Sequence, residues 1–166
     1  VNLSTAQRQA LAADIAANPT LAALKASGNL GGLVAHYGAP ASPAYIVWRM
    51  QVSQDEIMQN GFNWTRVDNL SVGKARVWEW LFNNESRAIN PSKANVRAGI
   101  DAVWVGTQQD LDVRAAVYTH CKRSATRFEK LFATGTGTDA VPANLGFDAS
   151  GTVIEGAPSY SDFEGL

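Results

Sequence analysis

Residues 109–133, QDLDVRAAVYTHCKRSATRFEKLFA, are the longest stretch of the chain with unbroken helical spacing and neither Gly nor Pro inside it. Leu111, Ala115, Tyr118, Cys121, Ala125, Phe128 and Phe132 recur at steps of three and four, which puts them on one side of a 3.6-residue helix. The spacing predicts one long helix with that side buried. Arg123, Arg127 and Lys130 project roughly opposite, and Asp110 and Asp112 precede the cations, the order the helix dipole favours. Gly135 stands where a left-handed residue commonly ends a helix. The residues before this helix read as shorter helices that pack on it, and those after it as a tail of different composition.

A chain of 166 residues with 46% apolar content suits one globular domain with a sizeable core. Charge divides it unevenly. Residues 1–130 hold all fourteen Lys and Arg against ten acids, a net of +4, whereas 131–166 hold five acids and no cation, a net of -5. The single cysteine, Cys121, excludes an internal disulfide and a cysteine-rich zinc site. No apolar run approaches the roughly 18 residues of a membrane span, and VNLSTAQRQ lacks the hydrophobic stretch of a signal peptide, so the expectation is a soluble protein that is not exported.

From the start of the chain, Ser4 with Gln7 makes a capping box ahead of Leu11 and Ile15, and Asn18-Pro19 stops one helix and starts another that ends by Gly28. The glycines and prolines between 31 and 43 leave room for a helical turn or two around Leu33 to Tyr37. Residues 44–52, AYIVWRMQV, are strand-like in composition but follow a good helix start at Ser42-Pro43, and the balance is read as helix. Ser53 with Glu56 forms a second capping box, with Gly61 closing the turns after it. Asn69 or Ser71 caps an amphipathic helix through Trp78 and Phe82, and Asn90-Pro91 starts another with Val96, Ile100 and Val103 on one face. The expected fold is all-α: a helical bundle of about six helices over residues 1–134, with an extended acidic C-terminal arm over 135–166 in which Ala149-Ser150-Gly151 can turn a short β-hairpin.

Chemistry-bearing residues are few. His120 and Cys121 are adjacent, so on a helix they point about 100° apart and do not form a nucleophile–base pair. Two histidines without HExxH spacing do not suggest a metal site, and Thr134-Gly135-Thr136-Gly137-Thr138 comes after a helix where phosphate loops precede one. The expectation is a protein that is not an enzyme and takes no cofactor and no metal. The five tryptophans sit at apolar positions and read as core and interface anchors. Lys122, Arg123, Arg127 and Lys130 make a basic face that suits solvent, an acidic protein partner or a nucleic-acid backbone.

Three runs, ASPAYIVWR at 41–49, LSVGKARVWEW at 70–80 and KRSATRFEKLFATGTGT at 122–138, resemble small virion proteins of tailed bacteriophages, most of all the head-to-tail connector or neck adaptor proteins. The resemblance implies a structural protein that joins the portal of the head to the tail and assembles as a ring, a dodecamer in such necks, around the DNA channel. It also implies contacts with the portal protein and a further neck or tail protein, DNA passing nearby without sequence-specific binding, no membrane partner, and a place at the head–tail junction of the virion after synthesis in the bacterial cytoplasm. On the arm, Phe147, Val153, Ile154, Tyr160 and Phe163 are the residues expected to bind a partner. The alternatives are another small virion role, capsid decoration or tail completion, and a helical nucleic-acid-binding regulator.

Overall fold

In the computed structural model, which describes residues 1–59 and 62–166, the protein is mixed α/β and not the all-α bundle of six helices that periodicity predicts. About half of the chain is helical, and the described residues form nine α-helices and two two-stranded sheets. Helix α1 (Thr5–Ala17) starts at its capping box: Ser4 Oγ accepts from the Gln7 N–H, and Gln7 Oε1 from the Ser4 N–H. Asn18 opens α2 (Pro19–Ala26) by accepting from the N–H groups of Thr20 and Leu21, with Pro19 at the position that needs no donor. Helix α3 (Leu30–Gly38) is longer than its glycines suggest, because Asn29 caps it and Leu33 and Tyr37 are buried.

Residues 44–52 are not helical. They give strands β1 (Ile46–Trp48) and β2 (Val52–Ser53), in which Val47 and Val52 are fully buried. Here β-branched side chains prevail over the proline start signal. Strand β2 pairs antiparallel with β3 (Ala88–Ile89), Val52 opposite Ile89. Between them run α4 (Gln54–Ile57), capped by Ser53 and Glu56, α5 (Trp64–Asp68), capped by Asn63, and α6 (Val72–Leu81), capped by Ser71. Gly61 lies outside the described residues. Helix α7 (Ala94–Val103) begins past Pro91, because the Asn90 side chain accepts from the Ser92 N–H and O–H and holds a turn there.

The long helix of residues 109–133 is three elements: α8 (Gln108–Cys121), β4 (Lys122–Ser124), which pairs with β1, and α9 (Arg127–Phe132). A capping box inside the periodic stretch starts the last of these, with Thr126 Oγ1 accepting from the Glu129 N–H and Glu129 Oε2 from the Thr126 N–H. The buried face of α8 is Asp110, Val113, Val117 and Cys121, one step round from the expected Leu111, Ala115 and Tyr118, and Ala115 is exposed.

The chain forms two compact units, Val1–Val47 with Ser124–Leu166, and Trp48–Arg123. The second unit is built on Trp104, whose ring meets Phe62 and Trp78 edge-on at 5.8 and 5.3 Å, with Ile100, Val103, Val113 and Val117 around it. Cys121 belongs to this core, and burial pushes its thiol up to about 12, so it is protonated at neutral pH. Asp110 is also buried there, paired with Arg66 at 2.7 Å and accepting from Thr107 at the start of α8. The Arg66 hydrogen bond, followed by the Thr107 backbone, holds its carboxyl down at about 2. A depressed carboxylate adds stability that is complete above its ordinary value and lost as pH falls through the folded one. Asp110→Asn should therefore lower unfolding free energy by about 2 kcal/mol at pH 7, and the gap to the parent protein should close between about pH 4 and pH 2. Urea titrations of both proteins across that range check it, and equal stabilities at pH 7 would refute the pairing.

The acidic stretch 135–166 falls in the first unit, with residues 1–47 and 124–134. Ile154 and Phe163 sit in that unit's core with Leu11, Ile15, Leu21, Leu33, Tyr37 and Phe128. Bridges join Val47 to Ala143, Thr134 to Asn144 and Phe147 to Val153. Asp148 turns the last of these by accepting from the N–H groups of Ser150 and Thr152. Gly146 lets the tail close on α9, since a Cβ there would stand 2.5 Å from the Phe132 carbonyl oxygen. Among the described residues no helix is long and apolar enough to cross a membrane.

Candidate functional site

In the first unit α1, α3 and α9 supply most of the walls of a cleft of about 700 Å³. Ala17, Leu21 and Leu131 give it apolar lining, and Asp14, His36, Tyr37, Arg127 and Lys130 its charge and hydrogen-bonding groups. Helical spacing explains the pairing of cations, because Arg127 and Lys130 are three apart on α9 and share a face. It also explains the neighbours on α3: Tyr37 packs its ring against Phe128 at 6.4 Å and Phe163 at 5.7 Å, while His36, about 100° round the helix, is only partly covered.

The protonation states are set by these contacts. Arg127 Nη1 lies 3.0 Å from His36 Nδ1. A guanidinium only donates, so Nδ1 holds the lone pair and the ring proton is on Nε2. Burial first, and the Arg127 charge second, lower the His36 pKa below its ordinary value, against a smaller opposite pull from Asp14. The imidazole is neutral at pH 7. Tyr37 donates its hydroxyl to Asp14 Oδ2 at 2.6 Å, and burial followed by that bond raises the phenol well above its usual range. Lys130 Nζ stands 5.7 Å from the Tyr45 ring centroid. The cleft thus sets two cationic side chains against one carboxylate that is already engaged. It suits a ligand that brings a carboxylate for Arg127 and Lys130 and an apolar side chain for Leu21 and Leu131.

Of the basic face expected from sequence, Arg127 and Lys130 meet in this cleft, whereas Lys122 and Arg123 lie on β4 and do not line it. Of the arm residues, Phe147 and Tyr160 are exposed, Val153 is half-buried, and Ile154 and Phe163 are core. Asp14 and Tyr37 are not legible in the sequence as site residues, because their contact spans 23 positions and no spacing rule relates them. Among the described residues no three His, Cys, Asp or Glu side chains converge as a metal site would require. Compared with known proteins, the chain matches no family model, no curated protein and no solved structure.

Proposed function

We propose that the chain is a structural virion protein of a tailed phage, joining the portal of the head to the tail and assembling as a ring around the DNA channel. The resemblance carried by residues 41–49, 70–80 and 122–138 supports this reading. The observation that carries it is the cleft of α1, α3 and α9, where two cations stand beside apolar lining, the chemistry of a receptor for an acidic, partly apolar peptide segment. Protein docking of that kind is what a joining protein needs. Phe147 and Tyr160 remain outside the core and are available to a neighbour. Charge at such a joint speeds and orients docking more than it holds the finished contact.

Mass spectrometry of purified particles should find the chain in many copies per virion, and its absence would end the virion reading. Lys130→Glu with Arg127→Gln should leave the protein folded, since both side chains are partly solvated, yet reduce joined head–tail particles by about tenfold or more, the loss expected when about 1.4 kcal/mol is removed from the contact. Unchanged joining would show that the cleft is not the receptor.

A further inference from the structure

Among the described residues lining the cleft of α1, α3 and α9, His36 alone is of the type whose charge ordinarily changes near neutral pH. Arg127 Nη1 lies 3.0 Å from its Nδ1 and 3.4 Å from its carbonyl oxygen, whereas Nε and Nη2 of Arg127 have no partner among the described residues. The neutral ring therefore engages one corner of the guanidinium and leaves the Nε–Nη2 edge, which can hold a carboxylate through two parallel bonds. Lys130 lines the same cleft from α9. The cleft's carboxylate, Asp14 on α1, accepts from the Tyr37 hydroxyl of α3 through Oδ2. The tail's turn at Tyr160–Asp162 also packs on α3, but at the start of the helix, where Tyr160 Oη stands 3.5 Å from a Cβ placed on Gly31. Its Asp162 Oδ1 accepts from the Val1 ammonium at 3.0 Å.

We propose that the cleft takes up a proton together with its anion: His36 Nδ1 gains the proton as Arg127 and Lys130 receive the anion's oxygens, so that acidification tightens docking. The proton comes from solvent and lodges on Nδ1, the ring nitrogen that holds the lone pair. Without an anion this is unfavourable, because the ring is partly buried and the guanidinium lies against it, and both effects hold the His36 pKa below its ordinary value. An oxyanion on the Nε–Nη2 edge changes the balance, since it attracts the imidazolium as well as the guanidinium. At fixed geometry the repulsion from Arg127 and the attraction of Asp14 act on the imidazolium with or without the anion and cancel from the coupling. What remains is the pull between the anion and a third cation beside Arg127 and Lys130. By reciprocity, the factor by which the proton strengthens anion binding is the factor by which the anion strengthens proton binding. The coupling rests on the cleft being the receptor for an acidic segment, and it adds that docking is stronger in mildly acidic than in alkaline solution.

Pentane-1-sulfonate probes the full chain, because its head group stays ionised across the whole range and its tail suits Leu21 and Leu131. NMR follows the titration through the imidazole Cε1–H signals, with His120, which does not line the cleft, as the reference. Between about pH 8 and about pH 5 the affinity should rise about fivefold or more, and saturating sulfonate should raise the midpoint of His36's own titration to match. His36→Gln keeps an acceptor for Arg127 and does not titrate. It should bind as the parent does at about pH 8 and lose the rise on acidification. Equal affinity at both ends of the range, or a His36→Gln variant that keeps the rise, would overturn the coupling and leave the receptor standing. Absence of sulfonate binding at either pH would remove the receptor reading and the coupling with it.

Discussion

A chain lacking residues 140–166 should lose the fold of its first unit. Composition alone points the other way, to a soluble body freed of an acidic arm. The structure reverses this because the tail supplies core: Leu145, Ile154 and Phe163 are buried there, Phe163 against Tyr37 at 5.7 Å. At about 1.5–3 kcal/mol for each large apolar side chain, the three amount to about 5–9 kcal/mol, against a total stability of about 5–15 kcal/mol for a typical protein. The loss does not stop there. Without the tail the side chain of Gln7 loses the Phe147 carbonyl, Asn2 loses the Asp148 carboxylate, and Glu129 loses the Gly156 N–H. Hydrogen exchange gives the cleanest reading, since amides of α1, α2 and α3 should lose protection in the truncated chain. If they keep native protection and the truncated protein melts cooperatively at the parent temperature, the tail is the appendage its composition suggests.

How much of the fold is legible in the sequence depends on how far apart the interacting residues are. Ser4 with Gln7 and Ser53 with Glu56 are readable because both halves of a capping box lie within one turn, and the structure forms both. Thr126 with Glu129 has the same spacing, yet the apolar steps from Leu111 to Phe132 continue across it and make two helices read as one. Periodicity records which side chains are apolar and not whether the backbone between them is helical. The pairing of β1 with β4 is a long-range choice that no local window contains. The same limit applies to the cleft. Arg127 and Lys130 are readable as neighbours because helical spacing makes them so, whereas the bond from Arg127 to His36 spans 91 positions. The tail misleads for a related reason: Leu145, Ile154 and Phe163 keep no period, since an extended segment that crosses helices is buried wherever it happens to cross.

Replacing Glu129 with alanine should cost about 2–6 kcal/mol, because two hydrogen-bond donors lose their acceptor at about 1–3 kcal/mol each. Glu129 is wholly buried on α9, a burial that a carboxylate tolerates only when its oxygens are satisfied. Oε2 accepts from the Thr126 N–H and Oε1 from the Gly156 N–H, both at 2.7 Å, while Thr126 Oγ1 accepts from the Glu129 N–H and donates to the Gly156 carbonyl at 3.1 Å. One carboxylate thus caps a helix and fastens the tail to it. Alanine would leave two partly buried N–H groups without their acceptor at once. Glutamine keeps the shape but has one oxygen for two donors, and its amide N–H₂ would meet an N–H head-on, so Glu129→Gln should still cost about 1–3 kcal/mol. Thr126→Ala removes the reciprocal half of the cap and should cost about 1 kcal/mol alone. Because both substitutions break the same network, the double variant should lose less than the sum by about 1 kcal/mol. Urea unfolding of the four proteins followed by circular dichroism measures every corner of this cycle. A loss below about 1 kcal/mol for Glu129→Ala, or strict additivity with Thr126→Ala, would mean that the tail is held by its apolar contacts and that the buried carboxylate is incidental.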